Sequence, residues 1–361
     1  MSSSVLGSIT IGYEALWDQW RKRMGVRLWL DPDSSSAVDA THLIESLQEL
    51  WPASREICLL HARTPSLLAD LLDHSSAPNI WVEVPEHWLN DALLAGRVRK
   101  AQQRGVKLVW CGEPGERPQA DMAQWFHSTV LSLTPAQALG ALRAALQRSQ
   151  DGSSAASRPP ESPVQSGQLY ESLASQALVE HALDQQHVRA VSGWPAEEVL
   201  YAYRYRQIQP ARQALLDLVK AIDADESLDA LEHAMGREPL LCYRFMRFAN
   251  SAALGLRNEI GSLRQALMTL GYSRLRAWLM EHLPHASADS NIDPIRHNMV
   301  LRARIMEHLA DAGVEDELRR EVFLCGVFSQ VDVLLGENLG AALHRLPLPG
   351  RVASAVVGQT G

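Results

Sequence analysis

Three consecutive helices, each with its own start and stop signals, are crowded into residues 236–280. Pro239 suits the first turn of a helix, because the N–H that proline lacks would have no partner there. Ser262, followed three residues later by a glutamine, is a capping box that starts a second helix. Asn250 and Gly271 fall at helix ends, where a positive φ is tolerated best by glycine and asparagine. The pattern predicts a compact helical bundle.

This region resembles the signature of HDOD domains, helical relatives of the HD phosphohydrolases that lack their metal ligands. The matches follow the order of the family motif and include an Asn-Ser-Ala triplet, a Leu-Gly pair and a Leu-Arg pair followed by tryptophan. The structural signature residues are Pro239, Asn250, Ser251, Ser262, Gly271 and Trp278. No strand pattern is found from residue 210 onward, so the second domain is predicted to be all-helical. Members of the family usually continue into a further helix beyond the position that corresponds to Gly361. Whether the domain is shortened at its C-terminus is therefore left open.

Short apolar runs alternate with longer helical patterns in the first part of the chain. Such runs are typical of parallel strands buried on both faces. They lie at residues 26–30, 57–60, 80–84, 106–110 and 130–133. The helical patterns lie at residues 40–50, 65–73, 87–104 and 135–148. A further helix is expected at 169–186 and a strand at 188–191. Repeated strand–helix units predict a parallel sheet or a (β/α) barrel.

The first domain resembles the EAL domain, a (β/α) barrel whose active members hydrolyse cyclic di-GMP with two divalent metals. Residues 12–16, Gly-Tyr-Glu-Ala-Leu, look like the motif that names the family, and the resemblance makes Glu14 a metal ligand. It makes Glu83, in the apolar run 80–84, a second ligand. The fold class implied is α/β plus all-α: a degenerate EAL-type (β/α) barrel, with its completeness left open, followed by an all-helical, HD-related HDOD domain.

Residues that hydrolysis requires are missing from both predicted domains. Two-metal hydrolysis needs several converging carboxylates and a base. The chain has no Asp-Asp pair, and no lysine lies between Lys107 and Lys220. No adjacent His-Asp pair, which an HD phosphohydrolase would need, is found either. Glu14 and Glu83 are therefore interpreted as vestigial, and the chain is predicted to have no catalytic residues, no bound metal and no cofactor.

Composition narrows the range of partners. Lysine and arginine number 34 against 42 aspartate and glutamate, a formal charge of −8 that argues against a nucleic-acid or membrane-surface binder. No signal peptide pattern and no long apolar run is present, so no membrane insertion is expected. The four cysteines are far apart, as in buried thiols of a reducing compartment. These observations predict a cytoplasmic protein.

A group of arginines in the second domain is a candidate interaction surface for an acidic partner or a nucleotide. Its members are Arg237, Arg244, Arg247 and Arg257. Arg244 and Arg247 are three residues apart and therefore share a helix face. The alternative is that these side chains are solvated or paired with nearby acids.

The domain boundary is predicted between residues 205 and 206, so that residues 1–205 form the EAL-like domain and residues 206–361 the HDOD-like domain. A Ser/Pro-rich stretch at 150–168 lacks periodicity and is expected to be a flexible loop inside the first. The function predicted is non-catalytic signalling through protein–protein interaction in a bacterial cyclic di-GMP pathway. Two alternatives remain: a receptor that binds cyclic di-GMP without cleaving it, and a cyclic di-GMP phosphodiesterase.

Overall fold

The computed structural model describes residues 8–33, 38–51, 56–116, 118, 120–150, 161–254, 259–309 and 315–358. Contacts between Cα atoms divide the chain into two compact units, Met1–Pro195 and Ala196–Gly361. The division lies ten residues before the predicted boundary, so the helix Ala196–Tyr203 belongs to the second unit. Among the described residues, no helix has the length and apolar character needed to cross a bilayer.

Eight strands close into a barrel in the first unit. They are β1 Ile9–Trp17, β2 Arg23–Pro32, β3 Ile57–Ala62, β4 Ile80–Pro85, β5 Lys107–Gly112, β6 Ser128–Ser132, β7 Leu169–Glu171 and β8 Ala190–Ser192. β2 to β8 pair in parallel, whereas β1 is antiparallel to both β2 and β8. The fold class is confirmed, and the barrel is closed rather than incomplete.

Two strands differ from the sequence interpretation. β1 was not predicted as a strand, because Thr10, Gly12 and Glu14 leave no continuous apolar run in it. β7 occupies the start of the segment 169–186 that was predicted to be one helix, and a strand of three residues is too short to show a periodicity. The rest of that segment forms a short helix, Gln176–Glu180, and a π-helical turn, His181–Gln185.

The helices of the first unit cover the outside of the barrel. They are α1 Ala40–Leu50, α2 Pro65–His74, α3 Ala92–Gln103, α4 Pro135–Gln150 and α5 Gln176–Glu180, with a 3₁₀ turn at Glu86–Asn90. α2 shows the local logic: Thr64 caps its N-terminus, Pro65 occupies the first turn, and four leucines on one face are buried. A stripe of that kind stabilises the helix chiefly by packing against the sheet.

The predicted flexible loop at 150–168 is described only in part. Residues 151–160 lie outside the described residues. The remainder is anchored to the first unit: Val164 is buried, the Oγ of Ser162 lies 2.8 Å from Nε2 of His181, and the N–H of Gln165 donates to the hydroxyl of Tyr170 at 2.7 Å. Residues 161–168 therefore pack against the first unit, and the flexibility of the stretch stays a prediction.

The second unit is helical throughout its described part, as predicted. Its helices are α6 Ala196–Tyr203, α7 Arg212–Asp223, α8 Leu228–Gly236, α9 Pro239–Ala249, α10 Leu263–His282, α11 Asp293–Leu309, α12 Asp316–Phe328, α13 Val331–Leu335, α14 Leu339–Leu343 and α15 Gly350–Gly358. One apolar core joins most of them, with α9 at its centre: eight residues of that helix are buried.

The ends of α9 and α10 explain the signature residues. Ser262 caps α10 by accepting from the N–H of Gln265, and Pro239 stands in the first turn of α9. Gly271 has φ 69° and ψ 164°, a conformation essentially reserved for glycine, and it kinks α10. Asn250 ends α9 with φ −100°, so the expected positive φ is wrong there. Its side chain stabilises the helix end instead, by hydrogen bonds to backbone groups of Met246 and Ile260.

Candidate functional site

A cavity of about 460 Å³ opens at the C-terminal ends of the parallel strands. This is the end of a (β/α) barrel at which loops and strand termini build active sites. The side chains come from β2 to β7 and from the loops that follow β3, β4 and β5. The lining residues are Arg27, Trp29, His61, Ala62, Arg63, Pro85, His87, Trp88, Cys111, Gly112, Glu113, Ser132 and Glu171.

The guanidinium of Arg27 occupies the floor of this cavity between two carboxylates. Its Nη2 donates to Oε2 of Glu83 at 2.7 Å, and its Nε approaches Oε1 of the same carboxylate at 2.7 Å. Its Nη1 donates to Oε2 of Glu171. Arg27 and Glu83 are each only 1% exposed. A single buried cation therefore bridges two acids on strands that lie on different sides of β2.

Three of the four oxygens of the two carboxylates accept hydrogen bonds, and the fourth, Oε1 of Glu83, makes the ion-pair contact with Nε of Arg27. Oε2 of Glu83 also lies 2.6 Å from Nδ1 of His61 and 3.5 Å from Sγ of Cys111. A carboxylate can only accept, so Nδ1 of His61 carries the hydrogen. The remaining oxygen of Glu171, Oε1, accepts from Ser132 Oγ. The acids are saturated by side chains of the barrel itself.

Electrostatics keep this cluster charged. Burial alone would raise the pKa of Glu83, but the charge of Arg27 and the hydrogen bond from His61 outweigh it and hold that pKa below its usual value. Burial disfavours the guanidinium as well, yet the attraction of both glutamates raises the pKa of Arg27. Burial and the charge of Glu83 raise the pKa of Cys111 well above its usual value, so this group is a neutral thiol.

The two glutamates proposed as vestigial metal ligands do not share a partner. Glu14, on β1, accepts from Oγ of Ser192 at 2.8 Å and lies beside Gly193. Glu83 contacts Arg27 instead, the residue opposite Glu14 in the register of β1 and β2. Arg27 was not predicted as a site residue. The signal available was a charged residue within the apolar run 26–30, where burial requires a charged partner.

The donor set does not suit the two divalent metals of an active EAL domain. In the described part of the chain, no group of three or more His, Cys, Asp or Glu side chains is arranged to hold a metal ion. The two acids of the cavity floor, Glu83 and Glu171, already bind the guanidinium of Arg27. A dication placed between them would meet a buried positive charge of the protein.

A second cavity, of about 480 Å³, lies between α9 and α10 in the helical unit. It contains two of the four arginines predicted as an interaction surface, Arg244 and Arg247, and two signature residues, Ser251 and Trp278. Its other lining residues are Phe248, Glu281 and His282. We refer to it as the α9/α10 pocket.

Two of the four predicted arginines, Arg244 and Arg247, line this pocket. Arg237 lies at the end of α8, where its Nη2 is 3.1 Å from Nε2 of His233, and it is not among the residues of the α9/α10 pocket. Arg257 lies outside the described residues. The role of these arginines in binding stays a prediction.

A buried ion pair that was not predicted anchors the start of α9. Nε of Arg296, on α11, lies 2.8 Å from Oε1 of Glu238, and both side chains are almost completely buried. Glu238 also caps α9 by accepting from the N–H of Leu241. Burial nevertheless raises the pKa of Glu238, with Arg296 and the N–H donors opposing it. Glu238 thus has a structural role at the start of α9.

Comparison with protein families matches residues 209–336 to the HDOD domain. Among curated proteins, the chain is 29% identical over 126 residues to "Uncharacterized protein YuxH" of Bacillus subtilis, covering 34% of this chain and 30% of that protein. It is 28% identical over 156 residues to "Cyclic di-GMP phosphodiesterase CdgJ" of Vibrio cholerae, covering 42% and 36%. The matches span about a third of the length of these relatives.

Among solved structures, the chain is similar to the MmoQ response regulator of Methylococcus capsulatus, with 16% identity, a TM-score of 0.36 and coverage of 42% of this chain and 76% of that one. It is also similar to the manganese and cyclic di-GMP complex of Klebsiella pneumoniae BlrP1, with 11% identity, a TM-score of 0.34 and coverage of 52% and 55%. The chain carries an HDOD domain at residues 209–336, preceded by a closed eight-stranded barrel.

Proposed function

We propose that this protein is a non-catalytic component of cyclic di-GMP signalling that acts through protein–protein interaction. The observation that carries the proposal is the position of Arg27, whose guanidinium binds the two carboxylates on the floor of the barrel cavity. The charge that metal ions would supply in an active EAL domain is supplied here by a side chain.

A buried arginine differs from a metal in what it can do. A divalent metal lowers the pKa of bound water and generates a nucleophile near neutral pH, and two-metal sites also stabilise the leaving oxygen. A guanidinium holds its protons permanently and has no coordination site for water. Displacing Arg27 would leave Glu83 without its main partner in a buried position, which is strongly unfavourable.

The relatives support the signalling context. One of them is named a cyclic di-GMP phosphodiesterase, and a solved structure of similar fold carries cyclic di-GMP and manganese. The HDOD match covers residues 209–336, and the sequence has no adjacent His-Asp pair of the kind that an HD phosphohydrolase needs. We infer that this chain works in the same kind of pathway, without the hydrolytic step.

The test is a hydrolysis assay on the purified full chain with cyclic di-GMP and either Mg²⁺ or Mn²⁺, with release of the linear dinucleotide followed by chromatography. We expect no product above the buffer blank, while an active EAL phosphodiesterase assayed in parallel consumes the substrate. Turnover by this protein that is abolished by Glu83→Gln would refute the proposal and assign the activity to this cavity.

Binding of cyclic di-GMP without hydrolysis is a second candidate function, favoured by the walls of the same cavity. The indole of Trp29 lies under the guanidinium of Arg27 at 4.0 Å and beside that of Arg63 at 5.3 Å, while Trp88 and His87 line another part of the cavity. Aromatic and guanidinium groups stack on bases and bind phosphates. Calorimetric titration with cyclic di-GMP distinguishes a receptor from a scaffold that acts only through protein partners. Saturable binding that is lost in Arg63→Gln favours the receptor, and the absence of any binding heat favours the scaffold.

A further inference from the structure

Two arginines of the α9/α10 pocket make no direct ion pair with an acid among the described residues. In the part of the chain that the structure describes, neither Arg244 nor Arg247 makes an ion pair. Arg244 donates instead to two neutral oxygens, Oε1 of Gln209 at 2.7 Å and the carbonyl oxygen of Ile208 at 3.2 Å. An arginine has five N–H donors, so several remain for a ligand.

Burial makes this arrangement unfavourable in the free protein. Burial lowers the pKa of Arg244, and the charges of Arg247 and Arg296 lower it further, whereas Glu238 opposes them. That glutamate is already paired with Arg296 at 2.8 Å. A carboxylate brought in from outside would supply the missing negative charge, and charge-assisted bonds to a partly buried guanidinium are among the stronger hydrogen bonds.

The remaining walls of the pocket complete a small polar and aromatic site. The Oγ of Ser251 is buried and has no hydrogen-bond partner among the described residues, so it is free to donate to a ligand. The rings of Phe248 and Trp278 are stacked with centroids 5.6 Å apart, and the centroid of the His282 ring lies 4.5 Å from that of Trp278. Glu281 at the rim reduces the excess positive charge to about one unit.

We propose that the α9/α10 pocket is a docking site for a carboxylate side chain of a protein partner, held by Arg244, Arg247 and the hydroxyl of Ser251. The inference rests on the proposed function, since it names the contact through which the helical unit engages that partner. A carboxylate with one negative charge matches the net charge of the pocket. A phosphate group carries a charge of about −1.5 to −2, which exceeds the net positive charge that remains in the pocket beside Glu281.

The test is titration of the full chain, by calorimetry at low salt, with a tetra-glutamate peptide blocked at both ends. A tetra-glutamine peptide of the same length is the matched ligand control. Inorganic pyrophosphate is the second probe. We expect the glutamate peptide alone to bind, with an affinity that falls as salt is added, because the contacting charges are partly exposed.

Arg247→Gln is the main variant, because the side chain of Arg247 is exposed and its loss leaves the helix core intact. Arg274→Gln, an exposed arginine on α10 away from the pocket, is the matched control. We expect the first to weaken peptide binding about tenfold to a hundredfold, the effect of one charged hydrogen bond, and the second to leave it unchanged. Far-UV circular dichroism of both variants checks that the fold is retained.

Equal affinity of Arg247→Gln and wild type, or no binding of the glutamate peptide, would overturn the proposed site. Tighter binding of pyrophosphate, lost in Arg247→Gln, would overturn the choice of a carboxylate. These results are independent of the barrel: hydrolysis of cyclic di-GMP would refute the proposed function and leave the peptide result standing, and failure of the peptide would leave the hydrolysis result standing.

Discussion

Replacing Arg27 by methionine removes the buried cation while keeping a side chain of similar length. Two unit charges about 4 Å apart interact by about 4 kcal/mol at an effective dielectric constant of about 20. Removing one partner of a buried pair costs about 3–5 kcal/mol, since the other charge is left uncompensated. Because Glu83 is only 1% exposed, we expect Arg27→Met to lower the free energy of unfolding by about this amount at pH 7.

Arg23→Met is the matched control on the same strand. Arg23 pairs with Glu56 at 2.9 Å, but these side chains are 29% and 36% exposed. Solvent screens such a pair, so the expected loss is about 0–1 kcal/mol. Urea titrations followed by tryptophan fluorescence report on the barrel, because nine of the ten tryptophans precede residue 196. Equal destabilisation by the two substitutions would refute the reasoning.

The pH dependence provides a second check on the same variant. In the wild type the pKa of Glu83 is lowered, so its contribution to stability is complete above the unfolded pKa of about 4.3 and is lost as pH falls through the folded value. Without Arg27, burial raises that pKa, and stability is then lost as pH rises through it. The deficit of Arg27→Met relative to wild type should therefore be smaller at pH 5 than at pH 7, and a deficit that does not change would contradict the assignment.

Two further predictions concern the second unit and are measured by thermal melts at 222 nm or by urea titration. Gly271→Ala should cost about 1–3 kcal/mol, because φ 69° and ψ 164° strain any residue with a Cβ, although no atom lies within 4 Å of the position that this Cβ would take. Gly350→Ala is the control: its added Cβ also meets open space, but Gly350 has no positive φ, so the change should be close to neutral. Similar melts for the two variants would contradict the backbone argument. Asn250→Ala should cost about 1–3 kcal/mol, since Nδ2 donates to the carbonyl oxygens of Met246 and Ile260 and Oδ1 accepts from the N–H of Ile260. Asn250→Asp keeps Oδ1 as an acceptor but places a carboxylate oxygen against the two carbonyl oxygens that Nδ2 serves, so it should lose at least as much; an alanine variant as stable as wild type would exclude this role.

Local patterns predicted the elements that depend on neighbouring residues. The bounds of α1 and the starts of α2, α4 and α9 agree with the sequence interpretation, because caps, prolines and apolar stripes act within one or two turns of a helix. The missing Asp-Asp pair and the missing lysine are also properties of the sequence alone. The conformation at Gly271 follows from the same local chemistry, since no other residue adopts it without strain.

The side chain of Asn250 illustrates where local reasoning fails. Its position at the end of α9 is predicted correctly, but the reason is not a left-handed backbone. The amide joins the end of the helix to both backbone groups of Ile260, ten residues further along, and stabilises the segment that leads into α10. A sequence pattern gives no information about which distant backbone group an amide will reach.

The arrangement of Arg27 with Glu83 and Glu171 was decided only by the tertiary structure. Arg27 and Glu83 are 56 residues apart, and Arg27 and Glu171 are 144 residues apart. Strand register and closure of the barrel bring their side chains to one point, and a shift of one residue in register would turn each to the opposite face. The sequence by itself determined that the residues expected for hydrolysis are absent. Closure of the barrel determined which side chain binds the remaining acids, because long-range packing sets the register.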